Sequence, residues 1–137
     1  MTAKTAFTAA RSGVYRTPSQ ADALRERAVA DEFAWLEADL VDAHTKGKLL
    51  AALAAAGGFP ASFGHNWDAL ADALGDLSWR PAAGYVLRMV NTSQAQRNLG
   101  TQWGTLLDVL RATAGEWKAR GKPFVVLVDD AALPAWA

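Results

Sequence analysis

The chain has 137 residues, 51% hydrophobic and 20% charged, the profile of one globular domain that buries about two-thirds of its unfolded surface. Its 14 basic residues balance 14 acidic ones, which excludes the phosphate-neutralising surface of a general nucleic-acid binder. The absence of cysteine excludes a disulfide framework and a thiolate metal site, while no apolar run reaches the roughly 20 residues of a membrane helix and the start lacks a signal-peptide core, so a cytoplasmic protein is expected.

Residues 1–12 show no strong periodicity and are expected to be loosely held, leaving a single domain over 13–137. Gly13 to Arg16 is a short β-prone run closed by Pro18, an edge strand. Ser19 or Asp22 is placed to cap a helix through about Ala30, with Ala21, Leu24, Ala28 and Val29 as its inward candidates. Phe33 to Asp39 predicts a strand with Phe33 and Trp35 on one face. Thr45 is placed to cap the next helix, where Leu49, Leu50 and Leu53 recur at helical spacing and Gly57-Gly58 supplies the stop. A third helix follows at 66–74, and Pro81 and Gly84 then bracket a loop into the strand Tyr85 to Val90. Thr92 to Gly100 is polar and compatible with one short helix. Trp103, Leu106, Leu107, Leu110, Ala114 and Trp117 mark a long helix ending at Gly121. Phe124 to Val128 is a near-continuous apolar run, as in a strand covered on both faces. Strands alternating with helices predict an α/β fold, a mainly parallel sheet of about three to four strands packed with helices.

The segment 59–74 carries the chemistry. From Leu49 to Trp79 there is no Lys or Arg, and the formal charges are Asp68, Asp72 and Asp76. Asn66 is a favoured N-cap, and counting from it places Trp67, Leu70, Ala71 and Leu74 on a core stripe. Asp68 and Asp72 then stand together one turn apart, where like charges repel by about a few tenths of a kcal/mol. An acid in the first turn complements the helix dipole, which accounts for Asp68 as a purely structural residue. Asp72 has no such account and no basic neighbour one turn away, so it is expected to face a positively charged partner. Asp76 follows Gly75 and is expected past the helix end, in a turn. Before the helix, Pro60 stiffens the loop, Gly64 permits a tight turn, and Phe63 is either a core staple or an exposed aromatic anchor.

The pattern Phe-Pro-x-x-Phe-Gly-x-Asn-x-Asp-Ala-Leu-x-Asp-x-Leu at 59–74 resembles the signature of the barstar-like family, intracellular inhibitors of a secreted bacterial ribonuclease. The resemblance extends from about Glu32 to Asp129 through the order of strands and the long helix. It implies a barstar-like fold and a mechanism: the loop and helix enter the nuclease active site, and carboxylates occupy the place of an RNA phosphate. Asp68 and Asp72 match the family's acidic contacts, with Asp72 the deeper, while Gly64 and Asn66 match residues that shape the loop. Ser62 stands where the family's pattern has a contacting aromatic, Ala71 where it has a helix tryptophan, and His65 where it has an acid. A further acidic contact on the long helix maps to Glu116 when counted back from Gly121 and to Ala112 when counted forward from Leu107.

Other constellations carry less. His44 and His65 sit in different segments without a third ligand at metal spacing, and no Gly-rich phosphate loop or serine elbow appears, so no cofactor, metal or small-molecule substrate is expected. The tryptophans fall mostly on apolar stripes, with Trp136 expected to be exposed or pinned to the surface. Lys118, Arg120 and Lys122 end the long helix, where basic residues complement the dipole. Three functions remain on the table. One is a ribonuclease inhibitor whose partner-binding residues are Asp72, Asp68, Asn66, Phe63, Ser62, Gly64, His65 and Glu116. The second is a binding module of the same fold with another basic partner. The third is an enzyme using the two aspartates as acid and base, which requires a pocket beside Asp72.

Overall fold

The computed structural model describes residues 7–136. The elements run β1 (Gly13–Arg16), α1 (Ala21–Ala30), β2 (Ala34–Asp39), α2 (Lys46–Gly57), α3 (Trp67–Asp76), β3 (Tyr85–Val90), α4 (Ser93–Leu99), α5 (Thr101–Ala119) and β4 (Phe124–Val128). The fold is α/β: four strands form one sheet in the order β1-β4-β3-β2, and every pairing is parallel. A parallel sheet needs cover on both faces, and alternate residues of the same strands feed two separate cores. Leu36, Ala38, Leu87, Met89, Val126 and Val128 join Leu residues of α2, α3, α4 and α5 in the larger one. Trp35, Val86, Val125 and Leu127 face the other way, against Ala28 of α1 and Trp136. β4, buried at all five positions, is the strand the apolar run predicts.

Local chemistry sets the boundaries. The hydroxyl of Thr45 accepts the Lys48 amide at 3.2 Å and starts α2. Gly58, at φ 63°, ends it, and the ring of Phe59 lies where a side chain on Gly57 would stand. α1 departs from expectation at its start, since Gln20 precedes it without a side-chain cap and Ser19 donates to the Gln20 side chain instead. Val29 is 59% exposed rather than inward, since it stands about 100° around the helix from buried Ala28.

The tail is pinned rather than exposed. Trp136 is only 8% exposed and lies between Phe7, stacked at 5.4 Å, and Tyr15, edge-on at 4.9 Å. Arg11 sits 3.6 Å from the centre of its ring. The Arg16 amide donates to the Pro134 carbonyl at 2.7 Å, and Arg16 bridges to Ala135, so the tail lines the outer edge of β1. Of the segment expected to be loosely held, residues 1–6 lie outside the described residues; Ala9–Arg11 forms a 3-10 turn and the Ser12 hydroxyl accepts the Phe124 amide at 3.0 Å.

Candidate functional site

α3 begins where the spacing predicts. The side chain of Asn66 accepts the Ala69 amide at 2.7 Å and also donates to the Gly64 carbonyl at 3.2 Å, tying loop to helix. The left-handed residue of this turn is His65 (φ 49°), not Gly64, whose neighbour Asn66 would stand 3.2 Å from an added side chain. His65 Nδ1 lies 3.2 Å from the Phe63 carbonyl, and its ring is 4.8 Å from that of Phe63. Phe63 is half-buried and meets Phe59 edge-on at 5.0 Å, and Phe59 meets Trp79 at 5.9 Å. The indole of Trp79 donates to the Gly57 carbonyl at 3.0 Å, so the aromatics hold the loop against the end of α2.

The far end of α3 is braced by α5. A helix leaves its last carbonyls without partners, and here two of them are capped from a neighbour. Trp117 Nε1 donates to the Leu74 carbonyl at 2.8 Å, and Arg120 Nη2 donates to the Gly75 carbonyl at 2.8 Å. Arg120 also stacks on Trp117, while Lys122 donates to the Ala82 carbonyl at 2.8 Å, so both basic residues are committed within the fold.

Leu70, Leu74 and Leu77 face the core. Ala71 does not: it is exposed, and Ala69 and Ala73 are the half-buried alanines because the loop packs along their side. Asp76 is likewise not a turn residue beyond the helix but the last residue of α3. Asp68 and Asp72 are exposed, and among the described residues neither makes a hydrogen bond or ion pair. Glu116 is exposed on α5, with Oε1 only 3.4 Å from where a side chain on Gly75 would begin. That contact sets Glu116 beside the acidic helix.

A depression of about 230 Å³ opens between loop and helix, lined by Ser62, Phe63, Asp72, Ala73, Asp76 and Trp79 together with Pro60, Gly64 and Ala69. Ser62 lines it from an exposed position, while Asn66 and His65 are exposed but do not line it. Asp76 accepts from the Ser78 hydroxyl at 3.2 Å through one oxygen. Sequence reasoning missed Asp76 and Trp79 as members of this site. The signal for Asp76 was present, since it stands one turn after Asp72, but Gly75 reads as a helix stop.

Among the described residues no group of three or more His, Asp or Glu is placed to hold a metal ion, and no helix is long and apolar enough to cross a membrane. Compared with protein families, residues 33–129 match the one described as Barstar (barnase inhibitor). No curated protein matches the chain.

Proposed function

The chain belongs to the Barstar family of barnase inhibitors, and on that ground we propose that it binds a cognate bacterial ribonuclease and blocks the active site without catalysis. Asp72 and Asp68 stand in for an RNA phosphate, with Glu116 adding a third carboxylate from α5 and Ser62, Phe63, Gly64, His65 and Asn66 shaping the surface around them. One observation carries this reading: two carboxylates one turn apart stand in solvent without partners among the described residues, on a helix fixed at both ends. Asp68 complements the helix dipole, but Asp72 has no such role within the isolated fold, whereas a cationic cleft offers charge-assisted hydrogen bonds to both groups. Those bonds replace the ones an RNA phosphate makes, so inhibitor and substrate compete for the same cations.

Ser62 and Ala71, which lack the family's aromatics, favour the second reading, a binding module whose basic partner is not a nuclease. An enzyme is the weaker account even though a pocket exists beside Asp72, because Asp68, the other half of the acid–base pair, does not line it. Titrating the protein into barnase and following RNA cleavage tests the choice. Stoichiometric loss of cleavage, abolished by Asp72→Ala, supports inhibition. Cleavage that persists at large excess, with barnase and with the guanyl-type ribonucleases of the source organism, favours the binding module.

A further inference from the structure

The sheet ends differently on its two sides. Along β1 the tail supplies a neighbour, with the Arg16 amide on the Pro134 carbonyl. β2, at the opposite edge, pairs with β3 alone. The Ala34 and Leu40 amides donate to the Gly84 and Val90 carbonyls, so even-numbered residues of β2 turn their N–H and C=O groups toward β3. Odd-numbered ones turn them outward. Trp35 is buried, but Glu37 and Asp39 are exposed, and among the described residues nothing bonds to their outward main-chain groups. Each of these two acids is held by one carboxylate oxygen and offers the other. Glu37 Oε1 accepts from Trp35 Nε1 at 3.1 Å and lies 3.9 Å from Arg88 Nη1. Asp39 Oδ1 accepts from Asn91 Nδ2 at 2.9 Å and from the Val41 amide at 3.0 Å. Toward α2, a cleft of about 360 Å³ opens beside Asp39, with Ala43, Ala51 and Ala52 as its small apolar walls.

We propose that the free edge of β2 receives an extended segment of a protein partner, one in which basic residues alternate with small apolar ones. An unpaired edge is a template for a further strand, and charge decides which strand it accepts. A second copy of this chain, paired antiparallel through the same edge, would set Glu37 and Asp39 against their own equivalents, and like charges directly opposite are destabilising. A basic residue in that place meets the free oxygen of a carboxylate already fixed by its other oxygen. Side chains of an added strand point alternately to the two faces of the sheet. Those next to the basic residues therefore turn toward α2, where the alanine-walled cleft admits a side chain of about the size of valine. The main-chain bonds supply affinity and the alternation supplies selectivity. This surface is separate from the carboxylates of α3 and serves a contact other than phosphate mimicry.

The test is NMR of the intact protein with the capped peptide acetyl-Arg-Val-Arg-Val-Arg-amide. The peptide is expected to shift the Glu37 and Asp39 amides with a Kd on the order of millimolar. It should also slow their exchange with solvent several-fold, while the Leu36 and Ala38 amides, which face β3, change little. The same peptide N-methylated throughout keeps its charge but loses its donors, and binds several-fold more weakly. The peptide with glutamate in place of arginine produces no shift. Glu37→Gln combined with Asp39→Asn keeps the acceptors that Trp35, Asn91 and Val41 use, and weakens binding several-fold. Equal binding of the N-methylated peptide, binding of the acidic one, shifts confined to α3, or no shift at any concentration overturns the proposal. So does a dimer of the protein that itself protects the Glu37 and Asp39 amides. Nuclease inhibition read on the same samples separates the two surfaces: Asp72→Ala leaves the β2 shifts in place, and the β2 double variant leaves inhibition unchanged.

Discussion

Asn66 accepts from the Ala69 amide and donates to the Gly64 carbonyl, a carboxamide supplying the two functions on separate atoms. The residues it positions are therefore held without contacts of their own, which is why Asp72 separates binding from folding. Asp72→Ala removes a side chain with no intramolecular partner among the described residues and relieves repulsion from Asp68, so stability should stay within about 0.5 kcal/mol in urea melts. Affinity for the cognate nuclease should fall by at least about 2 kcal/mol, roughly thirty-fold in Kd, because the partner's cations lose their central carboxylate. Unchanged affinity would end the assignment of Asp72. Tyr85 is the opposite kind of residue, buried and bonded to the Arg80 carbonyl at 2.7 Å. Burial raises its hydroxyl above the ordinary phenol range; nearby Arg80 lowers it and Asp76 raises it by smaller amounts. The unfolded chain thus ionises this tyrosine first and binds fewer protons than the native protein over that interval. Its contribution to stability is complete below about pH 10 and is lost as pH climbs through the native value. Urea melts from pH 9 upward should show this decline, and Tyr85→Phe should flatten it.

At the scale of one helix, the sequence and the structure agree on where α3 starts and disagree on how it is rotated. Its cap, its leucines and its two aspartates are legible because Asn, Leu and Asp each carry an unambiguous preference. Ala69, Ala71 and Ala73 carry none, so periodicity alone cannot tell which flank the loop covers. The Phe59–Phe63–Trp79 contacts settle it by covering the side of Ala69 and Ala73, leaving Ala71 exposed. The same limit hid Asp76, whose place in the helix depends on Trp117 and Arg120 reaching across from α5 to cap Leu74 and Gly75. Strands 2, 3 and 4 were readable from their apolar runs, which their burial on both sides of the sheet explains. The orientation of Ala71 is directly testable. Ala71→Trp should cost only about 0.5 kcal/mol, the difference in helix propensity, with the new indole in solvent beside Asp68 and Asp72. Were Ala71 in the core, overpacking of that size would cost about 3 kcal/mol or more. Thermal melts with indole fluorescence distinguish the two, a solvent-like emission marking the exposed position.

Across the whole molecule, the acidic helix and the chain's terminal segments occupy different layers. The family match covers 33–129, and α3 packs in the larger core. The second face of the sheet is covered by residues outside that match: Ala28 of α1 and Trp136, with Phe7, Tyr15 and Leu24 packed around them. This layer was illegible because its central contact joins positions at opposite ends of the chain, and no local pattern announces that Trp136 meets Phe7 and Tyr15. β1 depends on the same tail, since Arg16 donates to the carbonyls of Pro134 at 2.7 Å and Ala131 at 3.2 Å. Trp136→Ala should therefore destabilise the protein by about 3 kcal/mol, the lower end for truncating a buried tryptophan, and loosen β1 before the other strands. Hydrogen exchange should show the β1 amides losing protection first. Because the sheet stands between this layer and α3, inhibition of the nuclease should survive in the fraction that remains folded, with Kd changed by less than about two-fold. A larger loss of affinity would mean that the second layer supports the binding face through the sheet, and the two layers would then have to be treated as one functional unit.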